Sequence, residues 1–279
     1  MLMMMMRGAG RVCGGPVQAA TARRWTHSDA ELQTLRHVLA KRTSARGWAS
    51  KPVPEHVLGD VLRLTLRAPS GFNMQPYACI LVRTPEDRER IAVSMLAGNA
   101  ARVKQAPVVA VFAADLEPSK RVPHIQQMMY KNDFPADAIN NLPLYVRMFA
   151  GEGHLATGVR SVVSTLMSPL RAVPSSTPTI AWSYKQTAIA ATTFMFAAQA
   201  HGLVTRPMEG FDELRLRYAL DIPERYSIPM VVCCGYPEHQ ETADTASTSS
   251  AKPTPRLEPS DLFFDGRFGS PSDAFFKSE

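Results

Sequence analysis

The 279 residues contain no G-x-G-x-x-G, no G-x-x-x-x-G-K-[ST], no G-x-S-x-G and no H-E-x-x-H. The common signatures of dinucleotide-binding folds, P-loop enzymes, α/β-hydrolases and zinc proteases are therefore missing. Cysteine is scarce, at four residues: Cys13, Cys79, Cys233 and Cys234. None belongs to a C-x-x-C pair or stands at ligand spacing from a histidine, so no metal site is expected. Cys233 and Cys234 adjoin in an apolar run, where successive strand residues face opposite ways; reduced, buried thiols are expected there rather than a disulfide. Long apolar runs are lacking too. The longest, near Thr187–Leu203, is broken by Thr192, Thr193, Gln199 and His201, so no membrane span is expected. Acid is absent from residues 1–28, which carry Arg7, Arg11, Arg23 and Arg24. Of 31 Lys and Arg, those four leave 27 against 25 Asp and Glu, so the net +6 falls to +2 in the body and argues for no nucleic-acid partner. The leader itself resembles a mitochondrial presequence, Arg-bearing and rich in Ala and Met, with cleavage expected near Arg24-Trp25-Thr26 and a matrix location.

What is present is a helix-heavy alternation of elements. Ser28 and Glu31 have capping-box spacing ahead of a helix ending near Lys41. Pro54 opens a second helix that stops at Pro69-Ser70-Gly71. YACILV reads as a strand, and Thr84-Pro85 as the cap and first turn of another helix. Pro107–Asp115 is a strand buried on both faces, by its unbroken apolar run. Residues 116–180 carry seven prolines and read as an insertion with short helices near Tyr145–Phe149 and Val159–Met167. Trp182–His201, rich in alanine and closed by Gly202, predicts a central helix; Asp212–Leu220 predicts a short one, and Ile228–Gly235 a strand. Glu238–Thr254 reads as a Ser/Thr/Ala/Pro linker, and the five phenylalanines beyond it suit an arm laid on a partner subunit. The fold class is α+β (or α/β). The organisation expected is a 1–28 leader and a single 29–279 domain, with the insertion at 116–180 and the linker and arm at 237–279.

Four segments hold the candidate chemistry: Arg42-Thr-Ser-Ala-Arg46, Pro69-Ser-Gly-Phe-Asn73-Met-Gln75-Pro76, Trp182 to Gln186, and Pro207-Met-Glu-Gly210. Two guanidiniums and two hydroxyls within five residues suit an anionic group, though a solvated helix end has the same composition. In order and spacing the four segments resemble the FMN-dependent nitroreductase family. KRTSAR is similar to its Arg-x-Ser-x-Arg/Lys, APSGFNMQPY to its Pro-Ser-x-x-Asn-x-Gln-Pro, and Gly98-Asn99 to a flavin-contacting Asn. WSYKQTAIAATTFMFAAQAHGL and RPMEGFD are similar to its central helix and the loop after it. The resemblance covers about residues 35–115 and 180–268. Gly71 and Thr43 depart from it.

The resemblance implies a nitroreductase-like fold: a central mixed sheet flanked by helices, with a domain-swapped C-terminal arm. It implies a homodimer holding two FMN at its interface. Arg42 and Ser44 would hold the FMN phosphate, with Arg46 and Asn99 near the pyrimidine edge. Pro69 and Ser70 would touch the ring system, Asn73 would support the turn and Gln186 would reach the flavin. Pro207, Met208, Glu209 and Gly210 would lie along the ring, with Glu209 and Gly210 as the catalytic candidates and the Gly210 amide donating to N5. Arg256 would reach phosphate, with Arg267 as competitor and Lys252 as a possible second base. The implied activity is ping-pong hydride transfer from NADH or NADPH to small planar acceptors, nitroaromatics or quinones. Reductive dehalogenation, flavin cleavage, or a flavin-binding module without turnover are the alternatives. His154 and His201 read as capping or surface residues, and Trp182, Phe194 and Phe196 as core. Tyr130, Phe134, Tyr145 and Phe149 are candidate linings of a substrate pocket.

Overall fold

The computed structural model describes residues 28–175, 177–238 and 254–276. The leader, with Cys13, and the linker, with Lys252, lie outside the described residues. The chain divides after His37 into a short amino-terminal unit and a body from Val38. Helix α1 (Asp29–Lys41), which runs past that boundary, begins on the predicted box: the Glu31 amide donates to Ser28 Oγ at 3.2 Å and the Ser28 amide to Glu31 Oε2 at 3.3 Å.

In the body, α2 (Glu55–Thr65) starts after Pro54, and α3 (Pro85–Ala92) is capped by Thr84, whose hydroxyl accepts from the Asp87 amide. Between them runs β1 (Tyr77–Val82). A seven-residue helix, α4 (Asn99–Gln105), precedes β2 (Val108–Asp115), every residue of which is buried. The segment up to residue 178 is more regular than its prolines suggest. It folds into α5 (Val122–Lys131), α6 (Ala136–Phe149) and α7 (His154–Met167). Pro123, Pro135 and Pro178 stand at helix starts, where a missing N–H costs nothing, and only Pro143 is inside a helix.

The long helix α8 (Thr179–Ala200) is central, as its alanines predict: it packs on α2 and on the whole sheet. Gly202 closes it at φ 72°, with the Leu203 amide returning to the Ala198 carbonyl. Then come β3 (Val204–Met208), α9 (Glu213–Ala219), β4 (Tyr226–Gly235) and the one-turn α10 (Pro259–Leu262). The four strands lie in the order β1-β2-β4-β3 and pair antiparallel throughout. The expected mixed character reduces to one parallel bridge, Ser44 to Thr205.

Strand alternation sends Cys233 into the apolar layer with Trp48, Ile91 and Val111, and Cys234 into the layer under α8 with Phe112 and Phe194. The two thiols are free, and burial pushes both up to about 12. No helix among the described residues is long and apolar enough to cross a membrane.

Candidate functional site

RPMEG was expected to be a loop. Residues 204–208 are instead the edge strand β3, with Pro207 opposite Val232. An edge position is where a strand accepts proline, because only one of its sides needs N–H donors. The loop proper is Glu209-Gly210. Its Gly210 carbonyl is held twice, by the Leu96 amide and by Asn99 Nδ2, both at 3.0 Å. Among the described residues the Gly210 N–H finds no acceptor. Arg102 Nη1 donates to Asn99 Oδ1 at 2.7 Å, which settles the orientation of that amide. A Cβ on Gly210 would stand 2.9 Å from Asn99 Nδ2, so a neighbour inside the chain already demands glycine there.

The first segment lies along the same strand. The Ala45 amide donates to the Thr205 carbonyl at 3.0 Å, Arg206 Nη1 returns a bond to the Ala45 carbonyl at 2.9 Å, and Trp48 Nε1 reaches the Val204 carbonyl. Arg42, Ser44 and Arg46 are thereby brought beside the strand that carries Pro207 and Met208. Neither the Arg42 nor the Arg46 guanidinium has a hydrogen-bond or ion-pair partner among the described residues. Arg206 is pulled below the ordinary arginine value, first by partial burial and second by nearby Arg102. Positive charge from Arg102 and Arg206 thus gathers around Asn99 and β3.

Pro69–Gln75 forms a tight turn between α2 and β1. Three of its non-glycine residues adopt left-handed backbone: Phe72 at φ 54°, Asn73 at 53° and Gln75 at 46°. Strain of this kind persists only where surroundings hold it. Here the Gln75 amide donates to Ser70 Oγ at 2.9 Å, the Gln75 side chain caps Asn73, and the Gly71 amide donates to Gln186 Oε1 at 3.0 Å. Gln186, 5% exposed on α8, keeps its Nε2 without an acceptor among the described residues. A Cβ on Gly71 would meet the Trp182 ring at 3.1 Å, a tight contact that the ring would have to relieve by a few tenths of an ångström. The Phe72 ring stacks on Tyr145 at 5.9 Å and leans on Phe149 at 5.4 Å, so two aromatics of α6 meet this turn.

The other candidates lie elsewhere. Arg256 meets none of the residues above within this chain; its guanidinium donates to the Thr254 and Pro255 carbonyls, and Arg267 is exposed. His201 Nε2 pairs with Asp60 at 2.9 Å, a surface contact, while the His154 side chain is outside the described residues. Trp182 and Phe194 are buried. Sequence reading missed four contributors: Arg102, Arg206, Asp115 and Arg121. Asp115 left a signal, as an acid ending an otherwise apolar strand.

The residues pair off into two anchored segments, β3 to Gly210 with Arg42–Arg46, and the 69–75 turn with Gln186. That layout can be set against known proteins. A sequence model described as "Nitroreductase family" matches residues 39–236, which include both segments. A protein of Thermus thermophilus named NADH dehydrogenase is 31% identical over 200 residues, 72% of this chain and 85% of that one. Among solved structures, a nitroreductase family protein from Streptococcus pneumoniae superposes with TM-score 0.63 at 18% identity, over 82% of this chain and 98% of that chain. One from Exiguobacterium sibiricum, solved in complex with FMN, gives TM-score 0.61 at 16% identity, over 82% and 95%. The structures share the fold; the matched span and the Thermus relative carry the assignment, and by them this chain belongs to the nitroreductase family.

Proposed function

We propose that the protein is an FMN-dependent oxidoreductase that takes two electrons from NADH or NADPH and passes them to nitroaromatics or quinones in ping-pong fashion. The observation that carries this reading is the Gly210 amide: its carbonyl is fixed by two donors while its N–H is left over. A pinned, unsatisfied N–H suits an acceptor atom on a ligand. The remaining donors fit the same group. FMN is a ring rich in acceptor atoms joined to a phosphate. Arg42 and Arg46 offer forks with no partner among the described residues, Gln186 offers Nε2, and the Asn99 amide has a second N–H beyond the one on Gly210.

When bound, FMN supplies a site that accepts and returns hydride. Arg42 and Ser44 bind its phosphate. Arg46 and Asn99 would hold the ring at its acceptor-bearing edge, Arg46 supplying positive charge and Asn99 an amide donor. Pro69, Ser70 and Asn73 form the turn beside the ring. Pro207, Met208, Glu209 and Gly210 would border its other part, with the Gly210 N–H available to donate to it. Phe72, Tyr145 and Phe149 provide an aromatic wall for planar acceptors.

The proposed assembly is a homodimer with FMN at the interface. Support comes from the carboxyl-terminal segment, where Leu257, Phe263, Phe268 and Phe275 are all exposed in the single chain. Arg256 on that segment then serves the partner's phosphate site. Leader composition supports a mitochondrial matrix location, which a fluorescent fusion of residues 1–28 tests; a cytosolic signal refutes it. For the activity, the full chain is purified, reconstituted with FMN and its visible spectrum recorded before and after NADH and NADPH. A yellow protein bleached by one of them, and recoloured by a quinone or nitroaromatic, is expected. A protein that takes up no FMN, or holds flavin that neither donor bleaches, overturns the proposal.

A further inference from the structure

The guanidinium of Arg121 ends the short 3-10 turn Pro118–Arg121, just ahead of α5. It is the most fully used side chain near the candidate site. Nε donates to Asp115 Oδ2 at 2.8 Å, Nη1 to the Gln75 carbonyl at 2.6 Å and Nη2 to the Tyr77 carbonyl at 3.0 Å, with the Tyr226 hydroxyl at 3.4 Å. Gln75 is itself one of the three left-handed residues of the 69–75 turn, and Tyr77 begins β1. The fork therefore grips the exit of that turn from one side. On the entrance side the turn is gripped by Gln186 through the Gly71 amide.

The anchor beneath Arg121 is independent of it. Asp115 is 0% exposed at the end of β2. Its Oδ2 also accepts from Arg225 Nη2 at 2.6 Å, its Oδ1 accepts from the Glu117 amide at 3.0 Å, and its carbonyl accepts from Ser183 Oγ on α8 at 2.6 Å. Removing Arg121 leaves that carboxylate paired, so loss of the grip need not unfold the strand. Only a planar fork with several fixed donors spans one carboxylate and two carbonyls; a lysine ammonium in its place cannot hold all three in this geometry.

We propose that Arg121 is a positioning residue for the cofactor-contacting turn: through the Gln75 and Tyr77 carbonyls it keeps Ser70, Gly71 and the Phe72 ring in the strained arrangement that the bound flavin and the acceptor meet. The inference rests on the FMN reading given above. Arg121 also stands just ahead of the segment whose α6 carries Tyr145 and Phe149 against Phe72.

The test uses the full chain and three variants: Arg121→Lys, Arg121→Met and, as control, Arg225→Lys, which touches the same carboxylate but no atom of the turn. Three quantities are measured: thermal unfolding without ligand, FMN dissociation constant by fluorescence titration, and amide hydrogen exchange over residues 70–77. Arg121→Lys is expected to unfold near the wild-type temperature, to exchange faster across 70–77, and to bind FMN about tenfold more weakly, the size of one charge-assisted hydrogen bond. Arg121→Met is expected to show the same pattern, larger. Arg225→Lys is expected to leave exchange at 70–77 and FMN affinity close to wild type. Equal loss of melting temperature in all three variants with unchanged exchange and affinity means a purely structural role and overturns the proposal. If wild type binds no FMN, the cofactor reading has failed, and the exchange comparison between Arg121→Lys and Arg225→Lys still decides whether Arg121 holds the turn.

Discussion

Gly210→Ala isolates what the glycine of the β3 loop is for. Gly210 has no positive φ, so alanine suits its backbone, and the penalty is one of space. The new Cβ would lie 2.9 Å from Asn99 Nδ2, where ordinary contacts begin near 3.4 Å, so the amide must retreat by half an ångström. It is held at both ends, by the Gly210 carbonyl at 3.0 Å and Arg102 at 2.7 Å. Losing the Nδ2 bond costs about 1 kcal/mol and the overpacking about 1 kcal/mol more, so roughly 2 kcal/mol is expected. For a chain of this size that lowers the melting temperature by about 4–8 °C. Asn99→Ala should cost about 1–2 kcal/mol by removing the same bond and stripping Arg102 of its acceptor. The double variant is the decisive member. With Asn99 truncated both the clash and the shared bond are already gone, so the two costs should fall short of adding by about 2 kcal/mol. Urea unfolding of the four ligand-free proteins gives the cycle, with no contribution from bound cofactor. Additivity within about 0.3 kcal/mol would refute the steric account of this glycine.

Three other perturbations follow from the same structure. Gly151 has φ 72°, and a Cβ there would fall 1.9 Å from the Thr177 carbonyl oxygen, so Gly151→Ala should cost about 3 kcal/mol or more by strain and clash together; a urea midpoint within error of wild type contradicts it. Cys233 and Cys234, raised to about 12 from 9.0, stay protonated in the fold while the unfolded chain ionises. The native state then binds more protons than the unfolded one, so their contribution is complete below pH 9 and lost as pH rises toward about 12. Cys234→Ala should flatten the fall of stability across that window, and an unchanged slope counts against it. Arg42→Ala and Arg46→Ala remove side chains without internal partners, so ligand-free stability should move by less than about 0.5 kcal/mol while FMN affinity drops roughly tenfold for each. The reverse pattern, lost stability at unchanged affinity, would show that these arginines belong to the scaffold.

Legibility in the sequence followed the range of the interactions. The capping box at Ser28, the Thr84-Pro85 start, the Gly202 stop and the apolar run of β2 were readable because each depends on residues a few positions apart in the chain. Proline misled wherever its position, rather than its presence, decided the outcome. Pro123, Pro135 and Pro178 looked like breakers of a loop-rich insertion, yet each sits where a helix begins. Pro207 looked like a loop residue because nothing local reports that a neighbouring β4 will pair with only one side of its strand. The α4 helix at Asn99 was invisible for a related reason: seven residues with one buried side chain carry too little apolar period to register. The candidate site was legible as a set of segments and illegible as a geometry. Gly71 to Gln186 spans 115 positions and Asn99 to Gly210 spans 111, and composition holds no record of either pairing.

Arginine shows most clearly what the geometry adds. In sequence, Arg42, Arg46, Arg102, Arg121, Arg206 and Arg225 are six equivalent cations. In the fold they separate by where their donors go. Arg121 and Arg225 spend theirs on a buried carboxylate, and Arg121 continues to two carbonyls of the 69–77 stretch. Arg102 orients the amide that pins Gly210, next to a turn where Ala97 is itself left-handed at φ 48°. Arg206 ties the first segment to β3. At the 69–77 stretch and at β3 a guanidinium fixes backbone directly, because a forked, always-charged donor can satisfy carbonyls that no strand or helix will take. Among the described residues, Arg42 and Arg46 have no such task. Four of the six arginines thus have fixed partners, two of them on backbone carbonyls, while Arg42 and Arg46 beside β3 have none among the described residues; under the proposed anion site, those two are where the loss of a ligand should be felt without loss of the fold.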